Sequence, residues 1–152
     1  MPWGNDEVQT APAWEGVHHV TLVTRDLDAT ARFYEEVLGM SVQGLDALGP
    51  LGRHCLIDPG AGRMRGLHFI ERPDAELGTQ AEALEGPPPF VIGGAFQHVA
   101  FALPDRTAAL ALRERLRERN LVTTEIIDTG PMSNLMFADN NGILLEATWP
   151  RH

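Results

Sequence analysis

The sequence predicts an α+β fold: one domain made of two β-α-β-β-β units in tandem. Three observations carry this. A length of 152 residues with 43% hydrophobic content suits one core and is short for two ordinary domains. Shifted by 79 residues, the chain sets His19-Val20 on His98-Val99, Asp26 on Asp105, Ala29 on Ala108 and Glu35 on Glu114. The order of elements repeats along with these identities.

Residues 1–16 read as a polar, aperiodic N-terminal arm in which Trp3 and Trp14 are free to pack elsewhere. The domain then covers 17–149, with a first unit at 17–72, a connector at 73–94 and a second unit at 95–149. In the first unit, GVHHVTLVT alternates and is rich in β-branched residues, which predicts a strand. Asp26 offers a side-chain cap to a helix running to about Leu38. Leu27, Ala31, Tyr34 and Leu38 fall on one helical face, with Thr30, Phe33 and Val37 beside them. Gly39 supplies a left-handed residue to end it. Short strands follow at 40–45, 53–58 and 64–71, the last two separated by the turn Pro59-Gly60-Ala61-Gly62.

The connector is rich in Pro and Gly, and its PPP run is incompatible with a helix interior or a central strand. In the second unit FQHVAFAL reads as a strand. Pro104-Asp105 opens a helix that buries Ala109, Leu112 and Leu116, and Asn120 closes it. Strands are expected at 122–128, 133–138 and 143–149, with Asn140-Asn141-Gly142 as the hairpin turn before the last.

Composition excludes several classes. The chain is neither disordered, collagen-like nor coiled-coil in make-up. No apolar run approaches the roughly 18 residues of a membrane span. The first twenty residues lack a basic start and an apolar stretch, so no secretory leader is expected there. A single cysteine, Cys55, forbids an intrachain disulfide and fits a reducing compartment. A net charge of −9 argues against nucleic acid or anionic membrane as a partner. A cytoplasmic protein acting on a small molecule is the expectation.

The polar residues inside the strands carry the chemistry. His19 and His68 lie in the first and last strands of unit one, and His98 and Glu146 lie at the matching places of unit two. If a pseudo-twofold axis relates the units, all four can converge on one point. Strand parity agrees. His19, Thr21 and Val23 share one face, and His98, Ala100 and Ala102 share the equivalent one, leaving the opposite faces apolar for a helix. His18 must then point to the helix side or the strand margin. A carboxylate inside Ile-Leu-Leu-Glu-Ala-Thr-Trp needs a partner, because burying it unpaired costs several kcal/mol. Imidazole and carboxylate together suit a divalent Fe, Mn, Co, Ni or Zn ion. Elsewhere, His54 and Cys55 are strand neighbours on opposite faces, so no Cys–His pair is expected and His54 is placed off the site. Tyr34 reads as core, the Arg113, Arg115, Arg117, Arg119 series as a solvated helix face, and Asp139-Asn140-Asn141-Gly142 as only a turn.

His19-Val-Thr-Leu, the run from Asp26 to Gly39, Gln97-His-Val-Ala-Phe101 and the run from Phe137 to Glu146 resemble the vicinal oxygen chelate superfamily, also called the glyoxalase/bleomycin-resistance/dioxygenase family. The resemblance covers about 17–149. It implies open, cup-shaped mixed sheets with helices outside and a divalent metal in the cup. His19, His98 and Glu146 match the positions most often used as ligands. His68 matches a fourth position, which glyoxalase I and methylmalonyl-CoA epimerase types fill with Glu or Gln. The implied activity is lyase or isomerase chemistry on a small substrate with neighbouring oxygens, through an enediolate stabilised by the metal, with Glu146 and His68 as catalytic candidates. The alternative is an Fe(II) extradiol dioxygenase in which His68 is freed as an acid/base. A further alternative is a non-catalytic, drug-sequestering resistance protein. A homodimer that exchanges modules between subunits is implied as well.

Overall fold

In the computed structural model, residues 12–44, 49–60, 62–78, 81–85 and 95–151 are described. Most of the arm, residues 45–48 at the end of the first short strand expected, Ala61 and the PPP run lie outside them; Trp14 is exposed. The elements run β1 (His19–Thr24), α1 (Leu27–Arg32), β2 (Ser41–Gln43), β3 (His54–Asp58), β4 (Gly66–Glu71), β5 (Val99–Ala102), α2 (Arg106–Arg117), β6 (Ile127–Thr129), β7 (Met132–Ala138) and β8 (Leu144–Pro150). They form two four-stranded open sheets, ordered β1-β4-β3-β2 and β5-β8-β7-β6. In each, the first strand pairs parallel to the last and the others pair antiparallel. The tandem βαβββ repeat of an α+β fold is therefore realised. Among the described residues no helix is long and apolar enough to cross a membrane.

The caps behave as the sequence dictates. Asp26 accepts from the Ala29 N–H and Asp105 from the Ala108 N–H, both at 2.9 Å. Asn120 adopts φ +57 beyond α2, and Gly39 adopts φ +70 beyond the first helical segment. Asp58 closes the β3–β4 turn by accepting from the N–H groups of Gly60, Gly62 and Met64. At the entry to β4, Gly66 has φ +151, and a Cβ there would lie 2.6 Å from the Ile57 carbonyl oxygen. Only glycine fits, and its N–H donates to His18 O at 3.0 Å, seating β4 against β1.

Three expectations are corrected. The first helix is not regular to Leu38: Phe33–Val37 is a π-helical segment, with the Leu38 N–H donating to Phe33 O at 3.2 Å. Its wider winding leaves both Phe33 and Tyr34 buried. The strand expected at 122–128 is displaced to Ile127–Thr129, because Thr124 takes the Met136 N–H with its hydroxyl and interrupts the ladder. The arginines of α2 are not all free on a solvated face. Arg115 donates to the carbonyls of Glu36 and Val37, and Arg119 to that of Glu36, so they tie α2 to the end of the first helical segment.

One core serves both units. Leu27, Tyr34, Ile57, Leu67 and Phe69 of unit one pack in the same cluster as Leu116, Leu135, Phe137, Leu145 and Trp149 of unit two. Cys55 belongs to it at 1% exposure, and burial pushes its thiol up to about 11. The Asp139–Gly142 turn is more than a turn. Tyr34 donates its hydroxyl to Asp139 Oδ2 at 2.9 Å, and the Thr24 hydroxyl donates to Asn141 Oδ1 at 2.6 Å. Thr30 Oγ1 accepts from the amide groups of Asn140 and Asn141. This buried polar joint fastens unit one to the tip of the last hairpin. Burial, and then Asp139, hold the Tyr34 hydroxyl well above its ordinary value of 10.0, so it stays a neutral donor.

Candidate metal centre

Strand alternation decides which way each candidate points. In β4, His68 lies between Leu67 and Phe69, both in the common core, so His68 faces away from it. In β8, Glu146 lies between Leu145 and Ala147, also in the core, and faces away likewise. Leu22 of β1 and Val99 and Phe101 of β5 pack on the core, while His19, Thr21, Ala100 and Ala102 are exposed. The expected parity holds, although Val20 remains partly exposed on the helix side.

The four candidates come together as two pairs. His98 Nε2 stands 3.0 Å from Glu146 Oε2, with 34% and 15% of their side chains exposed. The lateral register Ala100↔Glu146 explains this, since His98 is two residues before Ala100 on the same face. Among the described residues the Glu146 carboxylate has no other hydrogen-bond partner. On the other sheet, Thr21 opposes His68, which brings the His19 and His68 rings to 5.6 Å between centroids. Within one chain no group of three or more His, Cys, Asp or Glu gathers to hold a metal, among the described residues. Both sheets contribute their apolar faces to the common core, and each donor pair stands on the other face of its own sheet.

Two residues escaped the sequence reading. His54, placed off the site from sequence, stands against one of the candidates: its Nδ1 lies 2.9 Å from His68 Nε2. The register Leu56↔His68 puts His54 on the His68 face and Cys55 on the core face. That parity was available from the sequence, but the lateral register between β3 and β4 was not. The second is Asn134, 9% exposed, on the Glu146 face one rung away (Asn134↔Thr148 beside Met136↔Glu146). Its Oδ1 is buried with no hydrogen-bond partner among the described residues. His18 touches His19 Nδ1 to Nδ1 at 2.9 Å, which leaves His19 Nε2 without a partner among the described residues. Both nitrogens of His68 have neighbours, His54 at Nε2 and Thr21 Oγ1 at Nδ1, the latter at 3.5 Å. Burial, with His54 and His19 adding to it, presses the His68 imidazole below its ordinary 6.5.

The donor chemistry suits a divalent ion. Two ligands at about 2.1 Å from one octahedral ion sit roughly 3 Å apart, the separation at which His98 and Glu146 face each other.

An open pair of βαβββ sheets with imidazole and carboxylate on the polar faces defines a class of small cup-forming domains. The chain belongs to the glyoxalase/bleomycin resistance protein/dioxygenase superfamily, whose family model matches residues 16–147. Among solved structures it resembles a glyoxylase/bleomycin resistance protein/dioxygenase domain from Frankia sp. EAN1pec (24% identity, TM-score 0.70, 92% of this chain and 95% of that one). It resembles a glyoxalase/dioxygenase from Nostoc punctiforme (18%, 0.67, 93% and 96%). It also resembles TnmS3, an antibiotic binding protein from Streptomyces sp. CB03234 (21%, 0.63, 91% and 98%). At these identities the likeness establishes the fold. No curated protein matches the chain in sequence.

Proposed function

We propose that the protein is a divalent-metal-dependent enzyme acting on a small substrate with neighbouring oxygens, its site completed by a second copy of the chain. The observation that carries this is the His98–Glu146 pair: a half-buried carboxylate whose one polar neighbour is an imidazole, on a face turned away from the core. His19, through its free Nε2, is the matching donor from the other unit. Because the donors stand as one pair on each sheet and no three gather within one chain among the described residues, unit one of one copy meets unit two of another, in a homodimer with module-swapped sites. A bound ion would polarise two neighbouring oxygens of the substrate and so acidify the carbon beside them. His68, with its ring nitrogens beside His54 and Thr21 rather than free, is the group that moves the proton. Asn134 Oδ1 supplies an acceptor on the same floor that is unpaired among the described residues. A lyase or isomerase of glyoxalase or epimerase type follows.

The shared site gives a direct test. His19→Ala and Glu146→Ala chains should each fail to bind Mn2+ or Zn2+ as homodimers. Co-refolded, they should regain one intact site per mixed dimer. Persistent failure of the mixture would mean that each site lies within one chain.

A second reading is supported by the donor set. Two His and one Glu, with His68 left for acid/base work, is the arrangement of Fe(II) oxygenases. On that reading the Fe(II)-loaded protein consumes oxygen with a catechol. On the lyase or isomerase reading, anaerobic protein turns over an α-hydroxycarbonyl or hemithioacetal substrate at an unchanged rate. A protein that binds metal-free drugs and does neither would be a binding protein instead.

A further inference from the structure

We propose that His54 is a positioning residue for His68, holding its ring so that Nδ1 is the nitrogen that exchanges a proton with substrate. The inference rests on the reading of His68 as the proton-moving group, yet its geometry stands on contacts alone. His54 Nδ1 and His68 Nε2 are 2.9 Å apart, and the ring centroids are 5.0 Å apart at an interplanar angle of 72°. One proton fits between two ring nitrogens, so one ring donates and the other accepts. Thr21 Oγ1 stands on the other side of the His68 ring, at 3.5 Å from Nδ1. A hydroxyl at that distance holds Nδ1 weakly and can yield it to a substrate. The His19 ring, a proposed metal ligand, lies beyond His68 at 5.6 Å between centroids. In the proposed arrangement the shared proton sits on His68 Nε2 and is donated to His54 Nδ1, which leaves the His68 Nδ1 lone pair on the Thr21 side. A base oriented through its far nitrogen by a third group is the general logic of activated imidazoles. His54 touches no substrate in this scheme and acts through His68.

The backbone makes the arrangement sturdy. His54 and His68 sit on paired antiparallel strands whose opposite sides, Cys55, Leu67 and Phe69, are locked in the core. Neither ring can leave the polar face without a register slip that would expose those residues.

The tautomer measurement needs neither substrate nor metal. Full-length protein labelled with 15N in histidine should show His68 protonated at Nε2, with a downfield N–H proton protected from exchange. His54→Ala, and the better-filling His54→Phe, should lose that proton signal and let the ring average between tautomers. His54→Asn should retain it, since Oδ1 occupies the place of Nδ1 and accepts. An unchanged His68 spectrum in both His54→Ala and His54→Phe overturns the proposal, and so does a His54→Asn protein that behaves like His54→Phe. Zn2+ titration of wild type and His54→Phe separates the two readings: affinity should agree within about threefold, because His54 is no ligand. Failure of wild type to bind Zn2+ counts against the metal reading and leaves the tautomer result intact.

Discussion

Glu146→Ala should lower affinity for Mn2+ or Zn2+ by at least about 100-fold, roughly 2.7 kcal/mol, in a calorimetric titration. The side chain removed is the one anionic donor of the proposed set, and the imidazole of His98 loses its 3.0 Å partner with it. His98→Ala removes a neutral donor and should weaken binding by less. Glu146→Gln is informative, because it keeps the shape and one oxygen but loses the charge. If charge matters, it should resemble Glu146→Ala more than wild type. Affinity within a few-fold of wild type in both Glu146 variants would remove that residue from the ligand set. His68→Ala, by contrast, should leave metal bound and depress turnover, as a group beside the metal does.

Asp139→Ala should destabilise the fold by about 3–5 kcal/mol, read from chemical denaturation. Asp139 is 7% exposed and accepts from the Tyr34 hydroxyl and from the Asn141 and Ile143 N–H groups. Its truncation strands a buried phenol and two backbone donors at the joint between the units. Asp139→Asn keeps an acceptor and should cost less. The pH dependence has a definite sign. Burial raises the Asp139 carboxyl above its ordinary 3.8, against the opposing pull of its hydrogen bonds. A raised folded value means that the native state holds this proton longer than the unfolded chain does. The stabilisation is complete below about 3.8 and is lost as pH climbs through the folded value. Wild type should therefore lose stability relative to Asp139→Asn as pH rises above about 4. A wild-type advantage over Asp139→Asn that stays constant or grows over that range would show that the carboxyl is not held in its acid form.

Much of the domain was legible because local rules govern it. Asp26, Gly39, Asp105 and Asn120 mark helix ends by chemistry that needs no distant partner, and each performs that role. Period-two alternation was equally readable. His68 between Leu67 and Phe69, and Glu146 between Leu145 and Ala147, had to face away from whatever covered their neighbours. The 79-residue echo gave the two units before any contact was known. The π-helical winding at Phe33–Val37 was hidden, since its hydrogen bonds differ from an α-helix by one residue and leave the apolar pattern almost unchanged.

By itself, then, the sequence determined the two units, their caps and the face on which each polar strand residue stands. Those follow from backbone geometry and side-chain period over a few residues. The tertiary structure alone decided what those faces meet. It chose the β3–β4 register that brings His54 to His68, and it turned the Asp139–Gly142 hairpin into the joint with Tyr34, Thr24 and Thr30. It also merged both apolar faces into one core, with each donor pair on the other face of its own sheet. The β3–β4 register pairs residues about fifteen positions apart, and the choice of which surfaces bury together rests on residues about a hundred positions apart. No local period in the chain encodes that.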